Sequence, residues 1–352
     1  MSLDSNSVQQ NISASTYPSI DVVILNYNTK EILAQCLPQV IKYSQHPGVR
    51  IVVADNCSND GSSEWVKLHH PDIELIQLES NTGFAGGYNR ALQNRSADYF
   101  VLLNSDAEPA ENWLPPLIQL AQSQPNFGAA QPAILDYFQR SKFEYAGAAG
   151  GFMDVFGFPF CRGRIFGNVE YNSNQYTETL PVFWASGAAL FIKRTCWEEA
   201  NGLDEAFFAH MEEIDLCWRL KTLGYEIYAC PRSQVFHMGG ATLSNQNPRK
   251  TYLNFRNGLL MLHKNLPDSI REKRILERKL FDGLAGIFFL IQGKPKHMWQ
   301  IIKAHRYFDQ HRHNFPRNPH PKELKELTGI LHHSLVLGYF FKGKKTWSNW
   351  FR

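Results

Sequence analysis

The feature that most constrains this chain is a repeated unit: a short apolar, β-branched run that ends on a polar residue and is followed by a helix-forming stretch. Ile20 to Asn26 reads as a buried strand, with a helix over 30–44 after Asn28-Thr29. The pattern recurs over 50–55, ending at Asp55, with a polar loop and then a helix over 63–69. A third strand is expected over 74–78 with a helix over 86–94, and a fourth over 99–103 runs into Asn104-Ser105-Asp106. Alternation of this length predicts an α/β fold, a mostly parallel sheet with helices on both faces. Ligands of such sheets collect at the carboxyl ends of the strands. Asn26, Asp55 and Asp106 all fall there.

Beyond residue 130 the pattern breaks. Residues 131–179 are rich in Gly, Phe and Tyr and predict loops and short antiparallel strands over a cleft. Residues 182–193 read as a strand interrupted at Ser186-Gly187, and 212–223 as a helix. Three amphipathic helices are expected over 252–264, 269–292 and 295–311. The organisation expected is a disordered segment 1–18, an α/β domain over 19–260 and a C-terminal helical extension over 261–352.

Composition excludes several classes. At 43% hydrophobic and 20% charged residues the chain is an ordinary globular one, and a net charge of +3 over 352 residues argues against a nucleic-acid partner. Six cysteines without a CxxC pair favour reduced thiols over disulfides or structural zinc. The longest strongly apolar stretch, 284–291, is far short of the ~20 residues of a membrane span, and residues 1–18 lack an apolar leader. The expected location is the cytoplasm, with contact to the inner membrane face.

Four segments carry the chemistry: Val23-Ile24-Leu25-Asn26-Tyr27-Asn28, then Val53-Ala54-Asp55-Asn56 with its Ser/Asn/Asp-rich loop, then Asn81-Thr82-Gly83-Phe84-Ala85-Gly86-Gly87-Tyr88-Asn89, then Leu102-Leu103-Asn104-Ser105-Asp106. In this order and spacing they resemble the nucleotide-sugar half of inverting glycosyltransferases of family 2, which have the GT-A fold. The resemblance continues through Ser186-Gly187-Ala188, Glu212-Glu213-Ile214-Asp215-Leu216-Cys217-Trp218-Arg219 and His237-Met238-Gly239-Gly240, and covers about residues 20–260. Within the family it is most similar to bacterial rhamnosyltransferase-type enzymes of surface polysaccharide assembly. It implies a nucleotide-sugar half over 19–130 and an acceptor half over 131–260.

The resemblance also implies residue roles. Asp55 matches the carboxylate that faces the nucleobase, where it can accept an imide N–H. Asn26, Asn28, Gly83, Asn89, Asn104, Ser105 and Arg249 complete the expected donor site, the glycine by allowing close backbone approach and the arginine by pairing with diphosphate. Asp106 matches the last Asp of the family's DxD motif, with Asn104 in its first position, and His237 matches the His of an HxGG segment. Together they imply a Mg²⁺ or Mn²⁺ site. Glu213 occupies the place of the general base that deprotonates the acceptor hydroxyl, where the family pattern has Asp, and Glu212 and Asp215 stay as alternates. Three carboxylates there also suit a helix N-terminus, and Asp215 can pair with Arg219 one turn on. Trp184 and Gly187 are expected on the acceptor side, Trp184 by stacking on a sugar face.

The reaction implied is inverting hexosyl transfer from a nucleoside-diphosphate sugar, dTDP-rhamnose first among candidates, to a hydroxyl of a glycan or lipid-linked glycan. The alternatives are a catalytically silent nucleotide- or glycan-binding protein and a nucleotidyltransferase; the latter would want a basic Gly-rich signature near the first strand, which is missing. In the tail, residues 264–317 carry twelve Lys or Arg against five acids, interleaved with Phe281, Phe288, Phe289, Trp299 and Phe308. That predicts either a subdomain packed on the core or an interfacial surface for anionic lipid.

Overall fold

The computed structural model describes residues 17–239 and 247–351. The expected disordered segment 1–18 lies, through residue 16, outside the described residues, as do Gly240 to Gln246.

The first half alternates as the apolar runs predict: β1 (Ile20–Asn26), α1 (Lys30–Tyr43), β2 (Val49–Asp55), α2 (Ser62–His69), β3 (Glu74–Gln77), α3 (Gly83–Leu92) and β4 (Tyr99–Asn104). A short β5 (Ala107–Pro109), α4 (Leu114–Ser123) and β6 (Phe127–Asp136) follow. The Gly- and Phe-rich middle folds into β7 (Gly151–Asp154), β8 (Pro159–Cys161), β9 (Arg164–Ile165) and β10 (Asn168–Val169). Next come β11 (Leu180–Val182), β12 (Ala189–Lys193), α5 (Arg194–Glu199), α6 (Glu212–Leu223) and β13 (Glu226–His237). The chain closes with α7 (Pro248–Asn265), α8 (Asp268–Ile291), α9 (Pro295–His311), β14 (Ile330–Leu331) and α10 (Leu335–Phe341).

The main sheet has the order β11-β13-β6-β12-β4-β1-β2-β3, with β5 added on β13. β1, β2, β3 and β4 are mutually parallel, so Asn26 and Asp55 are register partners and Asn104 ends one position short of Asn26. β12 runs antiparallel between β4 and β6. The single interrupted strand expected over 182–193 is therefore two strands, β11 and β12, at separate places in the sheet. Alternate residues feed opposite cores: Val23, Val52 and Leu102 pack on one face, and Val22, Ile24, Val53, Val101 and Leu103 on the other. Each such fully buried aliphatic side chain contributes about 1.5–3 kcal/mol.

β7 to β10 form a second sheet, completed by β14 in parallel with β7. The helical segment is tied to this sheet rather than standing apart: buried Arg278 of α8 pairs with Asp282 at 2.8 Å and donates to the Gly157 carbonyl between β7 and β8. The expected boundary at 260/261 falls inside α7, whose residues Leu259 to Leu262 are all buried in the main core. A continuous amphipathic face of 18 residues leaves no hinge there. All six cysteines are free thiols, Cys57 alone exposed.

Candidate active site

The parallel strand ends bring Asn26, Asp55 and Asn104 side by side. Asn26 is fully buried; its amide donates to Asp55 Oδ1 at 2.9 Å and its oxygen accepts from Thr29 Oγ1, which in turn meets Ser105 Oγ at 2.9 Å. Asp55 Oδ2 accepts the Ser58 backbone N–H at 3.0 Å, and Asn28 Oδ1 accepts that of Asn59 at 2.8 Å. The loops after β1 and β2 are thus stitched together by side chains, which holds the expected donor floor rigid.

Gly83 opens α3, three residues before the expected helix start, at φ +73, and a Cβ there would lie 2.5 Å from the Phe208 carbonyl oxygen. That carbonyl accepts the N–H groups of Phe84 at 2.8 Å and Ala85 at 3.3 Å, so the N-terminus of α3 is closed by the loop that precedes α6. Asn89 faces away from the strand ends: its amide brackets Leu203, donating to the carbonyl at 2.8 Å and accepting the N–H at 2.9 Å. Its expected contact with ribose or diphosphate gives way to this anchoring, because both polar atoms of the side chain are spent.

The antiparallel pairing of β13 with β5, in the register His237 to Ala107, carries His237 back to Asp106. Nε2 of His237 is 3.1 Å from Asp106 Oδ1 and 3.2 Å from the Asn104 amide nitrogen. Nδ1 is 3.2 Å from Glu144 Oε2, in an ionic contact without the alignment of a hydrogen bond. Burial alone would disfavour the charged imidazole, but Asp106 and Glu144 outweigh it and push the ring up to about 10. Burial would likewise raise Asp106, and the His237 charge and hydrogen bond overcome that and hold it below its ordinary range.

The donor chemistry of this cluster fits a hard divalent cation. Asp106 and Asn104 offer oxygen and His237 offers imidazole, while Glu144 stands behind Nδ1 as the carboxylate that orients a ligating histidine. A cation can replace the proton shared between Nε2 and Asp106. Among the described residues no three His, Cys, Asp or Glu side chains converge as a ready-made cage. That suits Mg²⁺ or Mn²⁺, which take few protein ligands and complete their shell with phosphate oxygens and water.

The three carboxylates at the start of α6 have distinct environments. Asp215 is fully buried and accepts from Arg219 Nε at 2.8 Å, Lys264 Nζ at 2.9 Å and Asn265 Nδ2 at 2.8 Å. Burial would raise its carboxyl, and the charges of Arg219 and Lys264 hold it low instead. It is a tied structural anion, which removes it from the candidate bases. Glu212 and Glu213 each keep a buried Oε2 with no hydrogen-bond partner. Burial, and then the neighbouring Glu213 charge, push Glu212 well up, and burial lifts Glu213 to about 7 against the pull of nearby backbone N–H groups. A carboxyl poised near neutrality with a vacant oxygen is what a general base requires.

Gly187 sits beside that base. A Cβ on it would lie 3.7 Å from Glu213 Cβ and 3.0 Å from the Phe84 ring. Trp184 does not offer a face to a sugar: it is 2% exposed, lies against the Gly151 backbone and donates from Nε1 to the Phe152 carbonyl at 2.9 Å. Cys161 on β8 is buried, which pushes its thiol up to about 11, and its Sγ accepts from Arg164 Nη2 at 3.1 Å.

The loop before α6 is strained. Phe208, His210 and Met211 all adopt positive φ, at 63, 69 and 73, which costs about 1–3 kcal/mol each for non-glycine residues. The fully buried Asn257 of α7 holds it by donating from Nδ2 to the carbonyls of Phe207, Ala209 and His210, at 3.0, 2.9 and 2.7 Å. Arg256 Nη2 adds the carbonyls of Ala206 and Phe207, both at 2.9 Å. Arg256 is therefore part of this clamp, and Arg249 places its guanidinium 5.3 Å from the Phe208 ring at the mouth of the loop. Glu144 and Asn257 are additions to the expected site; Asn257 is one of several buried polar residues of α7, and nothing in its local sequence singles it out. His210 is a further addition: its Nε2 is buried without a partner, and burial keeps the ring neutral, down to about 4.

Comparisons with known proteins follow this geometry. Residues 21–176 match the family model described as Glycosyl transferase family 2. The chain is 24% identical over 233 residues to an N-acetylglucosaminyl-diphospho-decaprenol L-rhamnosyltransferase of Mycobacterium tuberculosis, covering 62% of this chain and 75% of that protein. It is 26% identical over 258 residues to the low-salt glycan biosynthesis hexosyltransferase Agl10 of Haloferax volcanii, covering 71% and 78%. Among solved structures, the mannosyltransferase PcManGT from Pyrobaculum calidifontis, in complex with GDP-Man and Mn²⁺, aligns with a TM-score of 0.51 at 14% identity, over 83% of this chain and 87% of that one. Over residues 21–176 the chain is thus similar to glycosyltransferase family 2, and its fold is the GT-A fold.

Proposed function

We propose that this protein transfers a hexose from a nucleoside-diphosphate sugar to a hydroxyl of a glycan or lipid-linked glycan, with inversion, in cell-surface polysaccharide assembly. The observation that carries the reading is Glu213: a half-buried residue at the start of α6 whose carboxyl is raised to about 7 and whose buried Oε2 has no partner. Asp55, Asn26 and Asn28 form the nucleoside floor at the strand ends. Asp106 and His237 would hold Mg²⁺ or Mn²⁺, which when bound neutralises the departing diphosphate. Glu213 takes the acceptor proton as that hydroxyl attacks the anomeric carbon from the face opposite the leaving group. The rhamnosyltransferase name of the mycobacterial relative makes dTDP-rhamnose the first donor to test, and the decaprenol-linked acceptor in that name makes a lipid-linked glycan the first acceptor.

The test is release of nucleoside diphosphate from a panel of UDP-, dTDP- and GDP-sugars with Mn²⁺ or Mg²⁺. One donor should turn over in the wild type and bind without turnover in Glu213→Gln. Binding of a donor with no turnover under any acceptor would instead leave a nucleotide-sugar binding protein.

A further inference from the structure

Helix α8 is apolar on the side that faces away from the protein. Its inward face is set by Ile275, Arg278, Asp282 and Gly286, all buried. On the opposite face Leu276, Leu280, Leu284, Ile287, Phe288 and Ile291 form a continuous stripe at helical spacing, every one of them at least 50% exposed. A helix on a protein surface ordinarily turns charge outward, and a contiguous exposed apolar patch marks something that covers it. α10 extends the patch: Phe340 lies 6.3 Å from Phe288 ring to ring, and Phe341 is 78% exposed. Of the aromatic residues singled out in the tail, Phe308 is buried and Phe281 packs on Phe156 and Phe158, so the interfacial face is built from α8 and α10 instead.

The charges around the patch decide what covers it. Residues 283–308 contain Lys294, Lys296, Lys303 and Arg306 and no Asp or Glu, and residues 327–351 contain Lys342, Lys344 and Lys345 and again no acid. A second copy meeting this face would oppose like charges, whereas an anionic lipid surface complements both the apolar stripe and its cationic rim. None of the helices among the described residues is long and apolar enough to cross a membrane. The geometry is that of a helix lying in the interface with its apolar side down.

We propose that α8 and α10 form a docking face for an anionic phospholipid membrane, inserting the Leu284–Ile287–Phe288 side of α8 and Phe340-Phe341 between headgroups held by the surrounding lysines. The side chain of Phe281, on the flank of α8, packs on Phe156 and Phe158 in the loop that leads into β8, so α8 is seated on the second sheet with its apolar stripe outward. The proposal does not depend on which sugar is transferred.

The test is co-sedimentation of the full chain with phosphatidylglycerol–phosphatidylcholine vesicles and with pure phosphatidylcholine vesicles, at low and high salt, beside light scattering for oligomeric state. The wild type should bind the anionic vesicles and be released by salt. Leu284→Glu/Ile287→Glu/Phe288→Glu should lose binding by about a hundredfold or more, while Lys342→Gln/Lys344→Gln/Lys345→Gln should lose about fivefold per lysine. Leu284, Ile287, Phe288, Lys342 and Lys345 are exposed and Lys344 is half-buried over Trp350, all outside the proposed catalytic and donor sites, so both variants should release nucleoside diphosphate in solution at the wild-type rate. A wild type that stays in the supernatant overturns the proposal. So does a dimer that the triple glutamate variant converts to monomer, with no vesicle binding by either, which would assign the face to a second copy.

Discussion

The proposed donor site and the proposed catalytic loop are built in opposite ways. At the proposed donor end, β1, β2 and β4 deliver Asn26, Asp55 and Asn104 by register alone, and the loops that follow are tied to their own strand ends through Ser58 and Thr29 and to each other through Asn28 and Asn59. At the proposed catalytic end, Glu213 follows a stretch of positive-φ backbone whose carbonyls are held by residues distant in sequence, that of Phe208 by the start of α3 and those of Phe207, Ala209 and His210 by Asn257 of α7, about fifty positions later. The first region is positioned by the sheet, the second by a helix outside the family-matched segment. Loss of a side chain should therefore act differently in the two: at the donor end it removes a ligand, at the catalytic end it removes geometry.

Asp106→Ala carries the largest expected effect. It deletes the carboxylate that balances His237 and that the proposal places at the metal and diphosphate, and should lower kcat/KM by roughly a thousandfold and abolish metal-dependent donor binding. Calorimetric titration of donor with Mn²⁺ checks it, and undiminished donor affinity would move the cation site elsewhere. Glu213→Gln should cost about 10²- to 10⁴-fold in kcat with donor affinity unchanged, separating chemistry from binding. Next comes Asn257→Ala, which strips the donor from three loop carbonyls. It should reduce kcat roughly ten- to a hundredfold by misplacing Glu213, leave KM for donor within about twofold, and lower stability by about 1–3 kcal/mol. Equal loss in kcat and donor affinity would contradict the division drawn between the two ends.

The pH profile sharpens the same point with a smaller effect. Because burial raises the Glu213 carboxyl to about 7, the base is protonated below that value and ionised above it. The rate in the wild type should climb with pH through about 7 and then level, a limb that Glu213→Gln should lack. A flat profile from pH 6 to 8 would place the base elsewhere, Glu212 first.

How far these two regions are legible in the sequence follows from their construction. Apolar runs ending in polar residues are enough to place Asn26, Asp55 and Asp106 at one edge of a parallel sheet, because register and strand direction need only local pattern. Asp106 and His237 are paired through resemblance, and the β5–β13 register supplies the physical reason they meet. Asn89 looks like a donor ligand because its residue type suits one, yet its partner Leu203 lies far along the chain. Asp215 is an alternate base by its place beside Glu213; its pairing with Arg219 one turn on is legible in the spacing, whereas Lys264 and Asn265, about fifty positions away, are not. Trp184 misleads for the same reason, its ring being enclosed by Gly151 of the second sheet. Glu144 and Asn257 escape a sequence reading because a polar residue with a long-range partner has no local signature.

The central claim is that Glu213 is the base of a sugar transfer whose donor is held at the far end of the cleft. The most direct measurement is nucleoside diphosphate release in the presence of acceptor, wild type beside Glu213→Gln, with donor affinity measured on both proteins. The account predicts equal donor affinity and a turnover at least about a hundredfold lower in the variant. Turnover within a few-fold of wild type at equal donor affinity would contradict it.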